Sequence, residues 1–243
     1  MKIVTILGAR PQFIKASSLS REIGKRPDCE EIIVHTGQHF DENMSAIFFD
    51  EMEIPKPKYN LDINSLSHGA MTGRMLEEIE KILLIEKPDW TIVYGDTNST
   101  IAGALAAKKL HTKVAHIEAG LRSFDMRMPE EINRILTDQI SDILFCPTLT
   151  AVENLKKEGF EQKKIRVSMS GDIMFDSALY YKHKMKRPKG VDNDEPSILV
   201  TIHRQENTDD PKRLRNILNA LNTLAEEGNN LIWPIHPRTS KII

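Results

Sequence analysis

The sequence predicts an α/β fold built on a parallel sheet. Two observations carry this. Short apolar, β-branched runs recur along the chain, and between them lie longer segments whose apolar residues fall at helical spacing. The runs are also nearly continuous in hydrophobicity rather than alternating, which is the pattern of strands covered by helices on both faces.

The first run, KIVTIL at 2–7, reads as a buried strand. It is too short for the apolar region of a signal peptide and leads into Arg10 and Pro11 instead of a small-residue cleavage site. Further strands are expected at EIIVHT (31–36), WTIVYG (90–95), KVAHIE (113–118), DILFCP (142–147), SILVTI (197–202) and LIWPIH (231–236). Helices are expected over Pro11 to Lys25, Gly73 to Glu86, Ser99 to Lys109, Pro129 to Gln139, Thr150 to Glu158 and Pro211 to Glu227. The segment YKHKMKRPKGVDNDEP, 181–196, is nearly devoid of core residues and carries a basic run followed by an acidic one, the composition of a linker. It would separate a first domain, 1–180, from a second beginning at 197. A second α/β half of ordinary size needs about 150 residues, and 47 follow Pro196. The second domain, 197–243, is therefore expected to be incomplete.

Composition removes several function classes. With 33 basic and 35 acidic residues the formal charge is −2, so nothing global attracts nucleic acid or an anionic membrane. Any anionic ligand would be held by local positive groups. No apolar run approaches the roughly 20 residues of a membrane span, and a cytoplasmic location is expected. Cys29 and Cys146 are isolated, without metal-ligand spacing, and read as small packing residues rather than a disulfide.

In open parallel sheets, ligands bind beyond the carboxyl ends of the strands. Those ends deliver Gly8-Ala9-Arg10, Gly37-Gln38-His39, Gly95-Asp96-Thr97-Asn98, Glu118-Ala119-Gly120, His203-Arg204 and His236-Pro237-Arg238. Each has a bland reading: Arg10 before Pro11 as an ordinary turn, Gln38 and His39 as a surface loop, Asp96 as the cap of the following helix. Their joint occurrence on one edge favours a site. Glu118 is the hardest to dismiss, because a carboxylate that continues an apolar strand is partly buried and needs a partner. The stretch HIEAGLRSFDMRMPEEINR, 116–134, adds seven formally charged residues just after a strand. GARPQF is not the G-x-G-x-x-G dinucleotide fingerprint, no phosphate-binding G-x-x-x-x-G-K-[ST] occurs, and HRQEN lacks the second histidine of a zinc helix. No cofactor and no catalytic metal is expected.

The motifs GARPQFIK (8–15), TGQH (36–39), YGDTNST (94–100), HIEAGLRS (116–123), MPEEINR (128–134), Gly171-Asp172, TIHRQEN (201–207) and PIHPR (234–238) occur in the order seen in non-hydrolysing UDP-N-acetylglucosamine 2-epimerases, which the chain resembles over essentially its whole length. The resemblance implies Rossmann-like, doubly wound domains in the glycosyltransferase-B arrangement, a UDP-sugar substrate and a homodimer. It implies interconversion of UDP-GlcNAc and UDP-ManNAc by elimination of UDP and re-addition through a glycal. A related UDP-sugar such as UDP-diacetamido-glucuronate is the alternative, as is a non-catalytic UDP-sugar-binding fragment. By motif match, Asp96, Glu118 and Glu130 are the proton-transfer carboxylates, and His203 sits at the diphosphate or joins in proton transfer. Arg10 and Lys15 fall on the nucleotide or phosphate side, with Gln38, His39, Arg204, His236 and Arg238 as further binding residues. Arg134 is expected to orient Glu130 across one helical turn, and Glu131 to be a solvated or structural carboxylate. Members activated by their own substrate carry a further glutamine where this sequence has Asp41, so such activation is not expected. A glycosyltransferase would need an acceptor site and usually one base, whereas three carboxylates at strand ends suit two-way proton transfer. The hydrolysing epimerases normally carry a kinase domain, of which the sequence shows no trace.

Overall fold

The computed structural model describes residues 1–38, 49, 51–188, 191 and 196–243. It divides into two compact units, Met1–Lys184 and Met185–Ile243.

The first unit is built on a seven-stranded parallel sheet: β1 (Lys2–Leu7), β2 (Glu30–His35), β3 (Tyr59–Asn60), β4 (Trp90–Tyr94), β5 (Lys113–Ile117), β6 (Ile143–Cys146) and β7 (Arg166–Met169). Their spatial order is β3-β2-β1-β4-β5-β6-β7. The order reverses between β1 and β4, and that reversal is where a doubly wound sheet opens its ligand crevice. The helices are α1 (Arg10–Gly24), α2 (His68–Glu86), α3 (Asn98–Lys109), α4 (Pro129–Ile140), α5 (Leu149–Lys157) and α6 (Ile173–Tyr181).

Successive residues of a strand point to opposite faces, and both faces are covered here. Val4, Ile6, Ile32 and Val34 pack with Met75 and Ile79 of α2 and Ala102 and Ala106 of α3. Their neighbours Ile3, Leu7 and Ile33 pack on the other face with Phe13, Ala16 and Ile23 of α1. This two-sided burial is why the central strands read as unbroken apolar runs.

The second unit holds a parallel pair, β8 (Ser197–Leu199) with β9 (Asn230–Ile232), and the helices α7 (Gln205–Thr208), α8 (Pro211–Glu226) and α9 (Pro237–Ser240). Asp210 caps α8 by accepting from the backbone N–H groups of Lys212 and Arg213.

Three differences from the sequence reading have physical causes. The two-residue β3 and the polar edge strand β7, RVSM, carry too little apolar pattern to stand out. Helix α2 starts at His68 rather than Gly73, because buried Met71 anchors a first turn that Gly69 makes weak by propensity. Helix α6 packs on α1 through a Ser18–Ser177 hydrogen bond of 2.8 Å and Arg21 stacked over the Tyr180 ring. The 181–184 end of the basic run stays with the first unit: the Tyr181 hydroxyl donates to the Met52 carbonyl at 2.6 Å, and Lys184 pairs with Glu53. Cys146 is buried, Cys29 half-buried, and both are free thiols. Among the described residues no helix is long and apolar enough to cross a membrane.

Candidate functional site

The reversal between β1 and β4 is held by one side chain. Gln12, buried in the first turn of α1, accepts from the backbone N–H groups of Gly8 (2.8 Å) and Ala9 (2.9 Å). Its amide nitrogen donates to the Tyr94 carbonyl at 2.8 Å and to the Thr97 hydroxyl at 3.0 Å. The loops after the two strands are thereby fixed to each other. Gly8 lies where Thr36 and Ser99 meet, their hydroxyls 2.8 Å apart, and a Cβ at position 8 would fall 2.1 Å from each oxygen. Gln38 closes this corner by accepting from the Ser99 backbone N–H and hydroxyl at 3.0 and 2.8 Å. Arg10 is exposed at the start of α1. His39 lies outside the described residues.

Two carboxylate–cation pairs stand at the strand ends. Glu118 follows β5 in the left-handed backbone region, φ 70°, and its carboxylate pairs with Lys15. Lys15 is buried on α1, and its ammonium is thus brought to the sheet edge. Gly95, with φ 64°, leaves the room for this pair, since a Cβ there would lie 3.1 Å from Glu118 Oε2 and 3.3 Å from Lys15 Nζ. The next residue, Asp96, is not a helix cap. Thr97 caps α3 by accepting from the Thr100 N–H at 3.2 Å, which leaves the Asp96 carboxylate to pair with Arg134.

Helix α4 supplies the opposite wall. Asn133 donates to the Asp96 carbonyl at 3.0 Å. Arg134 does not orient Glu130 as expected: its second nitrogen donates to Glu131 at 2.7 Å, three residues back. Glu131 and Arg134 share the inner face of α4, whereas Glu130 is exposed and has no partner among the described residues. Glu131 is structural rather than solvated. It accepts from the backbone N–H groups of Ser123 (3.0 Å) and Phe124 (2.8 Å). Burial pushes its carboxyl up, but those N–H groups and the Arg134 charge outweigh it and hold it below the ordinary value.

Beneath the strand ends lies a charged cluster whose His116, Asp138 and Arg122 side chains are buried and whose outer end, Glu158, reaches the surface. His116 on β5 contacts Asp138 on α4 through Nδ1 and the Gly95 carbonyl through Nε2, both at 2.7 Å. Asp138 also accepts from Arg122 at 2.8 Å and from the Gly120 backbone N–H at 3.1 Å. Arg122 makes a two-pronged pair with Glu158 at 2.7 and 2.8 Å. Burial pushes the Asp138 carboxyl up, yet His116 and Arg122 outweigh it and hold it below the usual carboxylate range.

A cavity of about 220 Å³ opens beside Glu118, lined by Leu19, Ile117, Phe145, Pro147, Ile173, Asp176 and the Ser170-Gly171-Asp172 turn after β7. In the second unit, His203 and His236 follow β8 and β9 with ring centroids 5.3 Å apart, and the Thr201 hydroxyl lies 3.3 Å from His203 Nδ1. Arg204 is exposed beside His203. The side chain of Arg238 lies outside the described residues.

The first unit therefore brings Lys15, Gln38, Asp96, Glu118 and Arg134 to one edge of the sheet, with Glu130 on the facing helix. Gln12, Asn133, His116 and Asp138 were not anticipated. Gln12, His116 and Asn133 sit inside the quoted motifs, and polarity at buried or half-buried positions was the available signal.

The family model described as UDP-N-acetylglucosamine 2-epimerase matches residues 21–243. A UDP-2,3-diacetamido-2,3-dideoxy-D-glucuronate 2-epimerase of Pseudomonas aeruginosa is 60% identical over 243 residues, covering all of this chain and 69% of its own length. The crystal structure of the Methanocaldococcus jannaschii UDP-GlcNAc 2-epimerase in complex with UDP-GlcNAc and UDP superposes with a TM-score of 0.86 at 45% identity, over 99% of this chain and 67% of that one. The Neisseria meningitidis UDP-GlcNAc 2-epimerase bound to UDP-GlcNAc gives 0.87 at 30% identity, over 100% and 68%. The fold is the expected α/β class of the glycosyltransferase-B type, and the chain spans about two thirds of the length of these relatives. A family match over most of the chain, joined to close relatives among UDP-sugar 2-epimerases, leads to one conclusion: this chain belongs to the UDP-N-acetylglucosamine 2-epimerase family.

Proposed function

We propose that this chain inverts C2 of a UDP-linked 2-acetamido sugar by eliminating UDP and adding it back. A base removes the C2 proton while the C1–O bond breaks, its electron pair leaving on the diphosphate and a C1=C2 double bond forming. A proton is then delivered to the other face of C2, and a diphosphate oxygen re-forms the bond to C1. The observation that carries this reading is the pairing of Glu118 with Lys15 and of Asp96 with Arg134 at the β1/β4 reversal. Such a reaction needs proton-transfer groups, each worth roughly 10²- to 10⁴-fold, beside cations that stabilise the departing diphosphate. Lys15 and Arg134 are cations that a diphosphate can draw on. Asp96, Glu118 and exposed Glu130 are the proton-transfer carboxylates of this scheme, with His203 at the diphosphate or in proton transfer. Arg10, Gln38, His39, Arg204, His236 and Arg238 complete the substrate-binding set.

Two sugars compete. The 60% identity to a diacetamido-glucuronate epimerase favours that substrate, while the structures of UDP-GlcNAc 2-epimerases keep UDP-GlcNAc in view. The test is incubation with each UDP-sugar in deuterated water, following the C2 proton by NMR. It is run on this chain and on a longer form that restores the relatives' length. Deuterium at C2 with appearance of the 2-epimer is expected for one sugar. UDP binding by both forms without exchange on either sugar would replace the enzyme with a binding module.

A further inference from the structure

We infer that His116 is a positioning residue, held as an imidazolium, whose one ring ties together the two turns that present Asp96 and Glu118. The inference rests on the reading that those two carboxylates act at the sugar. The ring is completely buried, and both nitrogens face acceptors. The Gly95 carbonyl, 2.7 Å from Nε2, can only accept, so Nε2 carries a proton. Asp138 takes the Arg122 and Gly120 N–H groups on Oδ2, and the Arg122 charge favours the ionised carboxylate, so Oδ1, 2.7 Å from Nδ1, is an acceptor and Nδ1 carries a proton too.

The charged groups around the ring alternate in sign. Asp138 faces it from α4, Arg122 stands behind Asp138 from the turn after β5, and Glu158 at the end of α5 closes the chain. The Cys146 thiol of β6 lies in the field of Asp138, and burial pushes it up to about 12, so it stays neutral. A buried cation is tolerable in this setting because each charge has its partner.

The consequence is geometric. Nε2–H holds the peptide that joins Gly95 to Asp96. Through Asp138, the same pair reaches the Gly120 N–H in the turn where Glu118 takes its left-handed backbone. Neither carboxylate is touched by the ring, yet the backbone of each is registered to it.

Two neutral substitutions separate the ring's two contacts. His116→Gln can place an amide N–H where Nε2 stands and so keep the Gly95 carbonyl satisfied, whereas His116→Asn reaches Asp138 and stops short of Gly95. In the longer form, His116→Gln is expected to retain kcat within about 10-fold, and His116→Asn to lose about 10²-fold in kcat with KM changed less than about 3-fold. Equal losses in the two variants, or a loss carried by KM, would overturn the positioning role. The protonation state is read in the unsubstituted protein from ¹⁵N-labelled histidine by NMR. Both His116 nitrogens are expected to carry protons at neutral pH. One unprotonated nitrogen at neutral pH would refute the imidazolium. Absence of C2 exchange in the unsubstituted longer form would sink the epimerase reading and the positioning role with it, while the NMR result would still decide the charge state.

Discussion

At the scale of single residues, the site is made by what two glycines leave out. A methyl group at Gly8 would overlap the hydroxyls of Thr36 and Ser99, which are hydrogen-bonded to each other, Ser99 being tied to Gln38 as well. Gly8→Ala is therefore expected to destabilise the chain by about 1–3 kcal/mol, the usual cost of overpacking, read as a lower urea midpoint with an unchanged slope. A second residue sets part of the acid limit. The carboxyl of Glu86 is held at about 2 by Lys58 first, then Tyr59 and Lys2. A depressed carboxylate contributes stability above its unfolded value of 4.5 and loses it as pH falls towards 2. Glu86→Gln should flatten the stability profile between those limits, measured by denaturant titration at stepped pH. Residue-scale chemistry was only partly legible. Asp96 and Glu118 announced themselves by following apolar strands, but the meeting of His116 with Asp138, 22 residues apart, depends on how α4 is rotated against β5, which no local pattern encodes.

At the scale of elements, α4 decides which charges belong to the site. The helix turns Glu131, Arg134 and Asp138 inward and leaves Glu130, Ile132 and Leu136 exposed. Spacing of four made Glu130 the natural partner of Arg134, yet spacing of three is equally a same-face relation, and the buried side of the helix selects Glu131. Arg134 bridges Asp96 and Glu131 with two different nitrogens. Lysine, a single ammonium, cannot reproduce that fork. Arg134→Lys is expected to lower kcat by about 10- to 10²-fold through misplacement of Asp96, with the folded state retained by circular dichroism. Strands β1 and β2 and helix α4 were legible because their apolar residues repeat regularly. The edge elements β3 and β7 were not, since an edge strand needs little apolar surface to pair.

At the scale of the whole molecule, the strand order was foreshadowed only as a class. Parallel α/β architecture follows from continuous apolar runs separated by helices, but the β1/β4 adjacency that creates the site is a fact of topology. The run from buried His116 through Asp138 and Arg122 to Glu158 at the surface spans strand, helix and loop, so its loss should be global. Asp138→Ala is expected to cost about 3–5 kcal/mol, because it leaves buried cations without their counter-charge. Calorimetry should show one cooperative transition of the first unit moved to lower temperature.

The Gln12 hydrogen bond to Tyr94 joins residues 82 positions apart, and this has a meaning in time as well as in space. At roughly 5–20 residues per second on the ribosome, β1 is complete several seconds before its neighbour β4 exists. An apolar strand destined for the middle of a sheet waits through that interval with one edge open. Substitutions that weaken the β1/β4 junction thus put the yield of the nascent chain at risk before they touch its chemistry, and they should be recognised by material lost to aggregation during synthesis at elevated temperature.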